Sequence, residues 1–434
     1  MFLTATSHNL DSLSSSSSIF ASAGNNLTGT LPEELALLTA LELINLSVND
    51  IQGTLPSNFG NLDHLLDFYM HYNNLESIIP ESIGNLTRLG SFSVSHNIMT
   101  GSLPESMSRM ENLTYLALDD NSFLGSLTPL NALSNLTYVY VDNNSFKGGL
   151  DDVFVENHRI LDLDMSNNML DGPFPHHFLN RSIQILDLSR NMLTGSLPEF
   201  TENCKLQLLS LFANGIRGNI PTSIANAAML SHFDVSLNYF TGVLPEELFQ
   251  MTSMNFIFLA GNNFTAGPIP NLTALANLTE LSLRGTRRVG GIPNQWTNHI
   301  NLQFLDLSYN SLTGSLPESL GNLDRVLFLL FNRNQLTGQV PDSFTNLTRL
   351  SLVYMDHNKL NGTTAPICVG SKRLPIFVTD CQMECECCSD CCVDDDSCNA
   401  NVANVNMDPN WEDKFLRTTF FFGGSILFKA PQKS

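Results

Sequence analysis

Apolar and polar positions along the chain follow a pattern that returns every 23 or 24 residues. Each copy reads LxLxxNxLxGxLP, as in ILDLSRNMLTGSLPEF at residues 185–200. The alternating LxL segment predicts a short strand with leucines on one side and variable residues on the other. The repeated asparagine stands at Asn25, Asn49, Asn73, Asn97, Asn121, Asn144, Asn168, Asn191, Asn214, Asn238, Asn262, Asn310, Asn334 and Asn358, and Thr286 takes its place in one further copy.

Each part of the repeat has a physical role. The asparagine amide can donate to and accept from backbone groups that a turn leaves unpaired. The glycine and the Leu-Pro pair favour an extended outer segment, and a short helical turn such as SIGNLTRL returns the chain. One copy buries too little to fold alone, so the copies must stack. The pattern predicts a curved α/β solenoid with a parallel concave β-sheet, and with short strands, 3-10 turns and helical turns on its convex side.

The segment LQFLDLSYNSLTGSLPESLGNL at residues 302–323 resembles the plant-type extracellular leucine-rich repeat of receptor-like kinases, receptor-like proteins and polygalacturonase inhibitors. The resemblance covers residues 19–365. It implies a non-catalytic recognition protein that binds a peptide, glycan or protein on its concave face, and a possible co-receptor. Residues 368–392 resemble the cysteine-rich segment that follows such repeats in diatom proteins. The chain departs from the plant pattern because no paired-cysteine cap precedes the repeats and no kinase motif follows them.

Charge and hydropathy narrow the possible partners. The 42 acidic and 21 basic residues give a net charge of −21, spread along the chain, which argues against a nucleic-acid partner. No apolar stretch reaches 18 residues, so no membrane span is predicted in this chain. No secretory signal peptide is visible at the start, so either the N-terminus is incomplete or the protein is cytoplasmic. We expect an extracellular or cell-surface location.

The sequence predicts four segments. Residues 1–18 form a polar segment, expected to be disordered or an incomplete cap. Residues 19–365 form the solenoid of about fifteen repeats, residues 366–400 a cysteine-rich cap, and residues 401–434 a C-terminal tail.

Positions two, four and six residues before each repeated asparagine should point out of the concave sheet. From the third to the seventh repeat these positions and their neighbours collect an acidic, tyrosine-rich set, which suits a basic peptide or a glycan. We predict a ligand-binding patch formed by Asp67, Tyr69, His71, Tyr72, His96, Tyr115, Asp119, Asp120, Tyr138, Tyr140, Asp142, Asp162 and Asp164. The alternative is that aspartate is simply part of the repeat, as at Asp187, Asp234 and Asp306. That alternative covers Asp164 but not the tyrosines.

A second concave group is apolar and predicts a secondary binding surface, because exposed aromatic rings favour a covering partner. It comprises Phe212, Phe256, Phe258, Phe304 and Phe328, together with Arg284. The rings could equally pack against one another without a ligand. Arg284, Arg287 and Arg288 could hold a ligand carboxylate or pair with neighbouring acids.

Eight of the nine cysteines follow the last repeat, and we expect disulfides among Cys368, Cys381, Cys385, Cys387, Cys388, Cys391, Cys392 and Cys398. Adjacent cysteines should each pair elsewhere. The alternative is a zinc cluster in a reducing compartment. Cys204 should lie buried as a small apolar residue.

Candidate glycosylation sites are Asn85, Asn112, Asn135, Asn277 and Asn346, on the outer side of the repeats. No catalytic motif is present, and we expect neither an enzyme nor a bound cofactor or metal. The predicted function is recognition of a protein, peptide or glycan ligand. The alternatives are a structural or adhesive cell-wall protein, and a cytosolic scaffold with a zinc-bound cysteine cluster.

Overall fold

The computed structural model describes residues 18–370, 374, 376–380 and 382–392, with backbone only for residues 180, 370 and 390–392. The chain divides into two compact units, residues 1–287 and 288–434. Residues 1–17 of the predicted N-terminal segment, the predicted tail 401–434, Cys381 and Cys398 lie outside the described residues, as do the side chains of Cys391 and Cys392. The predicted segment boundaries therefore stay predictions.

The main sheet of the first unit is built from three-residue parallel strands in unbroken register. The central residue of each strand after the first, such as Leu163 or Leu186, is fully buried, while the residues on either side of it face away from the core. The predicted parallel sheet is thereby confirmed. Its strands are Ile19–Ala21, Leu43–Asn45, Asp67–Tyr69, Ser91–Ser93, Tyr115–Ala117, Tyr138–Tyr140, Asp162–Asp164, Ile185–Asp187, Leu208–Ser210, His232–Asp234, Phe256–Phe258 and Glu280–Ser282.

A second set of strands follows the asparagine in most coils of the first unit. These strands also pair in parallel, and they are Thr28–Thr30, Asp50–Gly53, Asn74–Ser77, Ile98–Ser102, Ser122–Gly125, Ser145–Gly149 and Met169–Asp171 in one sheet, and Arg217–Gly218 with Tyr239–Phe240 in another. Short 3-10 helices complete the coils at Glu33–Leu37, Phe59–Asn61, Glu81–Asn85, Glu105–Arg109, Thr128–Leu130, His176–Asn180, Thr222–Asn226 and Glu246–Gln250. The coils pack tightly here: a Cβ on Gly84 would lie 2.2 Å from the Ser106 carbonyl oxygen.

The repeated asparagines connect each coil to the one before it. The Asn168 amide donates to the carbonyls of Val141 at 3.0 Å and Met165 at 3.2 Å. Its oxygen accepts from the Phe146 N–H at 2.9 Å. The same three bonds recur at Asn97 and Asn238. The predicted asparagine ladder is therefore present, and it binds neighbouring coils as well as its own turn.

The residue before each ladder position has a left-handed backbone, with φ between 50° and 68°. We call these positions the turn row: Gly24, Val48, Tyr72, His96, Asp120, Asn143, Asn167, Arg190, Ala213, Leu237, Gly261, Gly285, Tyr309, Arg333 and His357. A left-handed backbone costs most side chains some stability, and asparagine, aspartate and histidine tolerate it better than most. The turn is thus imposed by the ladder rather than by glycine.

Thr286 changes the ladder near the end of the first unit. Its hydroxyl donates to the Leu283 carbonyl at 2.6 Å, which is the bond that a ladder asparagine makes within its own coil. A hydroxyl has one hydrogen to donate, so it cannot also donate to the preceding coil as an amide does. The boundary between the two units follows directly, after Arg287.

The second unit repeats the same coil. Its main strands are Phe304–Asp306, Phe328–Leu330, Leu352–Tyr354, Ile376–Asp380 and Asp390–Cys392, and its outer strands are Val289–Gly291, Ser311–Gly314, Gln335–Gly338 and Lys359–Leu360. The 3-10 helices are Trp296–Asn298, Glu318–Asn322 and Asp342–Asn346, and an α-helix spans Ala365–Gly370. Asn334 makes the ladder bonds to Leu307, Phe331 and Leu312.

A carboxylate ends the ladder. In an ordinary coil the backbone N–H groups of the turn donate to carbonyls of the next coil, as His96 does to Asp119 and Asn97 to Asp120. At the last ladder asparagine, Asn358, the N–H groups of His357 and Asn358 donate instead to the two carboxylate oxygens of Asp380 at 2.6 and 3.1 Å. Asp380 thus supplies both acceptors that the next turn would otherwise provide.

Disulfides join Cys368 to Cys387 and Cys385 to Cys388. The expectation of disulfides, with the adjacent Cys387 and Cys388 pairing elsewhere, is confirmed for these four residues. Cys204 is buried, as expected, and among the described residues it is the free cysteine.

The ladder predicts that substitution of two adjacent asparagines, Asn167 and Asn168, changes the free energy of unfolding by very different amounts. Asn168→Asp keeps the acceptor but places a carboxylate against the Val141 and Met165 carbonyls, so the free energy of unfolding should fall by about 3 kcal/mol. Asn167→Asp is the matched control, since Asn167 is exposed in the turn row, and it should change stability little. Urea unfolding measures both. Equal midpoints for the two variants would contradict the role of the ladder.

The disulfides predict a pattern of alkylation. In denatured, unreduced protein, iodoacetamide should modify Cys204 but leave Cys368, Cys385, Cys387 and Cys388 untouched until a reductant is added. Peptide mass mapping measures this, with Cys204 as the internal control. Modification of the four cysteines after EDTA treatment alone would instead support the zinc cluster.

Candidate ligand-binding face

The predicted ligand-binding residues of the first unit lie on strands of the main sheet and in the turns that follow these strands. We call them the Tyr–Asp patch, defined as Asp67, Tyr69, His71, Tyr72, His96, Tyr115, Asp119, Asp120, Tyr138, Tyr140, Asp142, Asp162 and Asp164. Strand register places Tyr138 between Tyr115 and Asp162, and Tyr140 beside Asp164. Residues far apart in sequence therefore form one continuous surface.

Tyrosine and aspartate contact each other directly within the patch. The Tyr140 hydroxyl donates to Asp162 at 2.8 Å, and the rings of Tyr115 and Tyr140 meet edge to face with centroids 5.9 Å apart. Burial and the Asp162 carboxylate raise the pKa of Tyr140, so the phenol stays protonated and remains a donor. The Tyr69 hydroxyl likewise donates to Asp67, and burial raises its pKa. These pairs hold the tyrosine rings in fixed orientations.

The patch contains displayed and buried side chains. Tyr72 and Tyr138 are 53% and 37% exposed, whereas Asp119 and Tyr140 are 2% and 4% exposed. The displayed rings offer contact area, and the buried carboxylates contribute charge from beneath. Asp142 accepts a bond from the Asn143 amide at 2.9 Å.

Some aspartates at the ends of the main strands have a structural role. Asp164 accepts a hydrogen bond from the Ser166 N–H at 3.0 Å. The side chains of Asp187, Asp234 and Asp306 likewise each accept a hydrogen bond from the backbone N–H of the serine two residues later. This shared turn explains why aspartate recurs in the repeat. Asp164 therefore supports its own turn, as the sequence alternative allowed.

Three serines organise the patch, although sequence analysis passed over them. Ser91 bonds the side chain of Tyr69, Ser93 contacts the His71 ring at 3.3 Å, and Ser95 donates to Asp119 at 2.5 Å. Their alternation in SFSVSH was the available signal, because it places all three at outward positions of one coil. Burial lowers the pKa of His71, which favours a neutral ring.

The predicted aromatic group falls on both units, and each part makes its own contacts. In the first unit the Arg190 guanidinium lies 5.3 Å from the Phe212 ring centroid, and Phe256 stacks on His232 with centroids 4.0 Å apart. In the second unit Phe304 and Phe328 lie 6.2 Å apart. Phe258 and Arg284 are partly exposed. Ring-to-ring packing, the alternative to a covering partner, is thus present for Phe304 and Phe328.

Two buried charged groups also stand out. Glu280 occupies an outward position that sequence analysis did not select, and burial raises its pKa to about 8. Arg288 is buried, which lowers its pKa, and the neighbouring Arg287 donates to the Asn263 side chain at 3.3 Å.

The candidate glycosylation sites lie on the return side of the coils. Asn85 and Asn346 end 3-10 helices and are exposed. The amides of Asn112, Asn135 and Asn277 donate to carbonyls of the preceding coil at 2.8, 2.8 and 3.1 Å.

Potential metal ligands come together twice within the described residues. Cys368, Cys385 and Cys387 form one group, and His96, Asp119 and Asp120 form the other. The cysteines are already in disulfides, which leaves them without thiolates to offer.

Comparison with known proteins supports the assignment of the repeats. Residues 40–62, 64–86, 182–204 and 301–323 match the family described as Leucine Rich Repeat. No curated protein matched the sequence. None of the helices in the described part of the chain has both the length and the apolar character to cross a membrane.

Solved structures resemble the chain over most of its length. A crystal structure of a TDR receptor has a TM-score of 0.77 and 26% identity, over 87% of this chain and 65% of that one. The plant peptide hormone receptor RGFR1 in complex with RGF2 has a TM-score of 0.68 and 26% identity. The match covers 84% of this chain and 66% of the RGFR1 chain. The Arabidopsis receptor kinase HAESA, in complex with the peptide hormone IDA and the co-receptor SERK1, has a TM-score of 0.64 and 25% identity. The match covers 84% of this chain and 70% of the HAESA chain.

Four segments of the chain thus match the leucine-rich repeat family, and its fold is similar to that of the TDR receptor, RGFR1 and HAESA structures. The chain spans less than two-thirds of the length of the TDR receptor and RGFR1 chains that it resembles.

His232 predicts a pH-dependent stability. Burial lowers its pKa from 6.5 to about 4, so the unfolded chain binds a proton more readily than the folded one between these values. The free energy of unfolding should therefore be highest above pH 6.5 and decrease as the pH falls towards 4. His232→Phe keeps a ring against Phe256 and should remove this part of the decrease. Urea unfolding across the window tests it, and an unchanged slope in His232→Phe would contradict the assignment.

Proposed function

We propose that this chain is a non-catalytic, receptor-like recognition module whose Tyr–Asp patch binds a peptide with positively charged side chains. The observation that carries the proposal is the patch itself. Tyr115, Tyr138 and Tyr140 stand on adjoining strands beside Asp162 and Asp164. Tyrosine supplies large contact area with few rotatable bonds, and carboxylates attract lysine and arginine.

The comparisons favour a peptide among the possible ligands. RGFR1 was crystallised with RGF2 and HAESA with the peptide hormone IDA, and both resemble this chain over 84% of its length. A glycan is the second candidate, because the exposed Tyr138 ring and the neighbouring carboxylates also suit a polyhydroxylated ligand. A structural or adhesive role without a discrete ligand is the remaining alternative.

The disulfides support an extracellular or cell-surface location, since such bonds persist in oxidising compartments. They disfavour the cytosolic scaffold with a zinc-bound cysteine cluster. The similar receptor structures support the same location and a non-catalytic role. HAESA binds a co-receptor, SERK1, in its complex, and we include a co-receptor for this chain in the proposal.

The patch predicts which substitutions weaken ligand binding. Peptides selected on the intact chain from a random displayed library should be enriched in lysine and arginine. Replacing Tyr115, Tyr138 and Tyr140 with alanine should weaken their binding by at least tenfold, because truncating central aromatic anchors typically costs more than about 1–2 kcal/mol. Calorimetry or fluorescence anisotropy measures the affinity.

Two variants separate binding from folding. Tyr239→Ala removes an exposed tyrosine from the outer strands and should leave the affinity unchanged. Tyr140→Phe removes only the hydroxyl bond to Asp162. Undiminished peptide affinity in the triple variant would overturn the proposal, and selection of acidic peptides would overturn the predicted charge.

A further inference from the structure

The edge of the Tyr–Asp patch brings together an imidazole and two carboxylates. His96 Nδ1 lies 3.0 Å from Asp120 Oδ2, and His96 Nε2 lies 3.7 Å from Asp119 Oδ2. Each residue offers a ligand atom, and these atoms all lie within 4.8 Å of one another. The stacking of consecutive coils places His96 beside Asp120, the next residue of the turn row, and Asp119 directly precedes Asp120.

We propose that His96, Asp119 and Asp120 bind a divalent cation of the zinc class. Zinc binds imidazole nitrogen and carboxylate oxygen at about 2.0–2.2 Å, which puts the ligand atoms of a tetrahedral site about 3.3 Å apart. With one nitrogen of His96 and one oxygen from each carboxylate, the three ligand atoms lie within 4.8 Å of one another, so side-chain rotations that draw them together complete the site. Calcium and magnesium favour all-oxygen sites with more ligands, and the imidazole therefore selects for a transition metal.

The surrounding side chains orient the ligands. Ser95 donates to Asp119 Oδ1 at 2.5 Å and leaves Oδ2 on the side of His96. The His96 ring stacks on Tyr72, with centroids 4.0 Å apart and planes 12° apart. Such outer contacts fix the direction of metal ligands and raise affinity. Asp119 is almost fully buried, which restricts the directions that its carboxylate can take.

Three protein ligands leave a fourth tetrahedral position for another group. Tyr72 and Asp120 are accessible at this edge, so that position can be reached from solvent. A carboxylate or hydroxyl of a ligand could occupy it. The cation site does not depend on the proposed peptide, because its occupancy can be measured on the chain alone.

The turn row allows the site to be removed without disturbing the fold. His96 and Asp120 both have left-handed backbones, with φ of 50° and 51°, a conformation that asparagine readily adopts. His96→Asn and Asp120→Asn should therefore fold normally while losing a ligand atom. His64→Asn is the matched control, because His64 pairs with Asp63 at 2.9 Å in an exposed place outside the patch.

Calorimetric titration of the oxidised, full-length chain with zinc chloride tests the proposal. The parent chain and His64→Asn should bind zinc equally, and His96→Asn and Asp120→Asn should each bind at least tenfold more weakly. Ser95→Ala should weaken binding less. Circular dichroism checks that every variant is folded.

Cobalt distinguishes this site from the cysteines. Bound Co²⁺ should show visible ligand-field bands without strong near-ultraviolet thiolate absorption, and His96→Asn should abolish those bands. Zinc affinity that is unchanged in both His96→Asn and Asp120→Asn, cobalt spectra dominated by thiolate absorption, or no zinc binding by the parent chain would each overturn the proposal.

Discussion

The asparagine amide in each turn is the interaction on which the rest of the structure depends. It donates to a carbonyl of its own coil and one of the preceding coil, and it accepts a backbone N–H of that coil, as Asn97 does with Val94, Met70 and Leu75. The main-chain groups that it pairs are buried, and leaving them unpaired would cost more than the bonds gain. No other short side chain both donates twice and accepts, so the position tolerates little change. Thr286, which keeps only a single donor, stands just before the boundary between the two compact units.

The ladder separates the residues that make the fold from those that face a ligand. Because the amide fixes the turn, the preceding residue is held in a left-handed conformation whether it is Gly24, Tyr72 or Arg190. Beyond the first strand, the central residue of each main strand of the first unit is buried in the core, and its neighbours face away from it. Among the outward residues, Asp187 and Asp234 accept backbone hydrogen bonds that support the turn, whereas the repeat pattern does not require a tyrosine at Tyr115 or Tyr138. Function therefore has to be sought among the side chains that the repeat does not require.

Sequence alone predicted the repeat, the strands and the ladder, because each depends on local spacing that stacking reinforces. It also identified Cys368, Cys385, Cys387 and Cys388 as disulfide-bonded residues, but not the partner of each, because pairing depends on three-dimensional proximity. The left-handed turn row was not predicted, since no residue type marks it. Its residues range from glycine to valine, and the hydrogen bonds of the turn impose its backbone.

The patch was predicted as a set of residues but not as a network. Tyr140 and Asp162 are 22 residues apart, and their bond follows only from strand register. Ser95 was missed because a serine carries no signal of its own in this sequence, and the buried carboxylate that it contacts, that of Asp119, is known only from the structure. The burial of Glu280 and Phe304 also could not be read from outward positions alone, since the exposure of such residues depends on their neighbours in space. Register and burial are properties of the stack, and a single repeat does not contain them.

The carboxylate of Asp380 has a consequence for how such chains change in length. It accepts two backbone N–H groups, those of His357 and Asn358, and several other coils use the equivalent pair to bond the next turn, as His96 and Asn97 do. The Asp380 carboxylate therefore binds main-chain N–H groups and does not depend on a particular side chain in the coil that it closes. Genetic events that insert or delete whole coils upstream would leave an end that the same carboxylate can close, so the array can lengthen or shorten over generations without a new ending having to evolve.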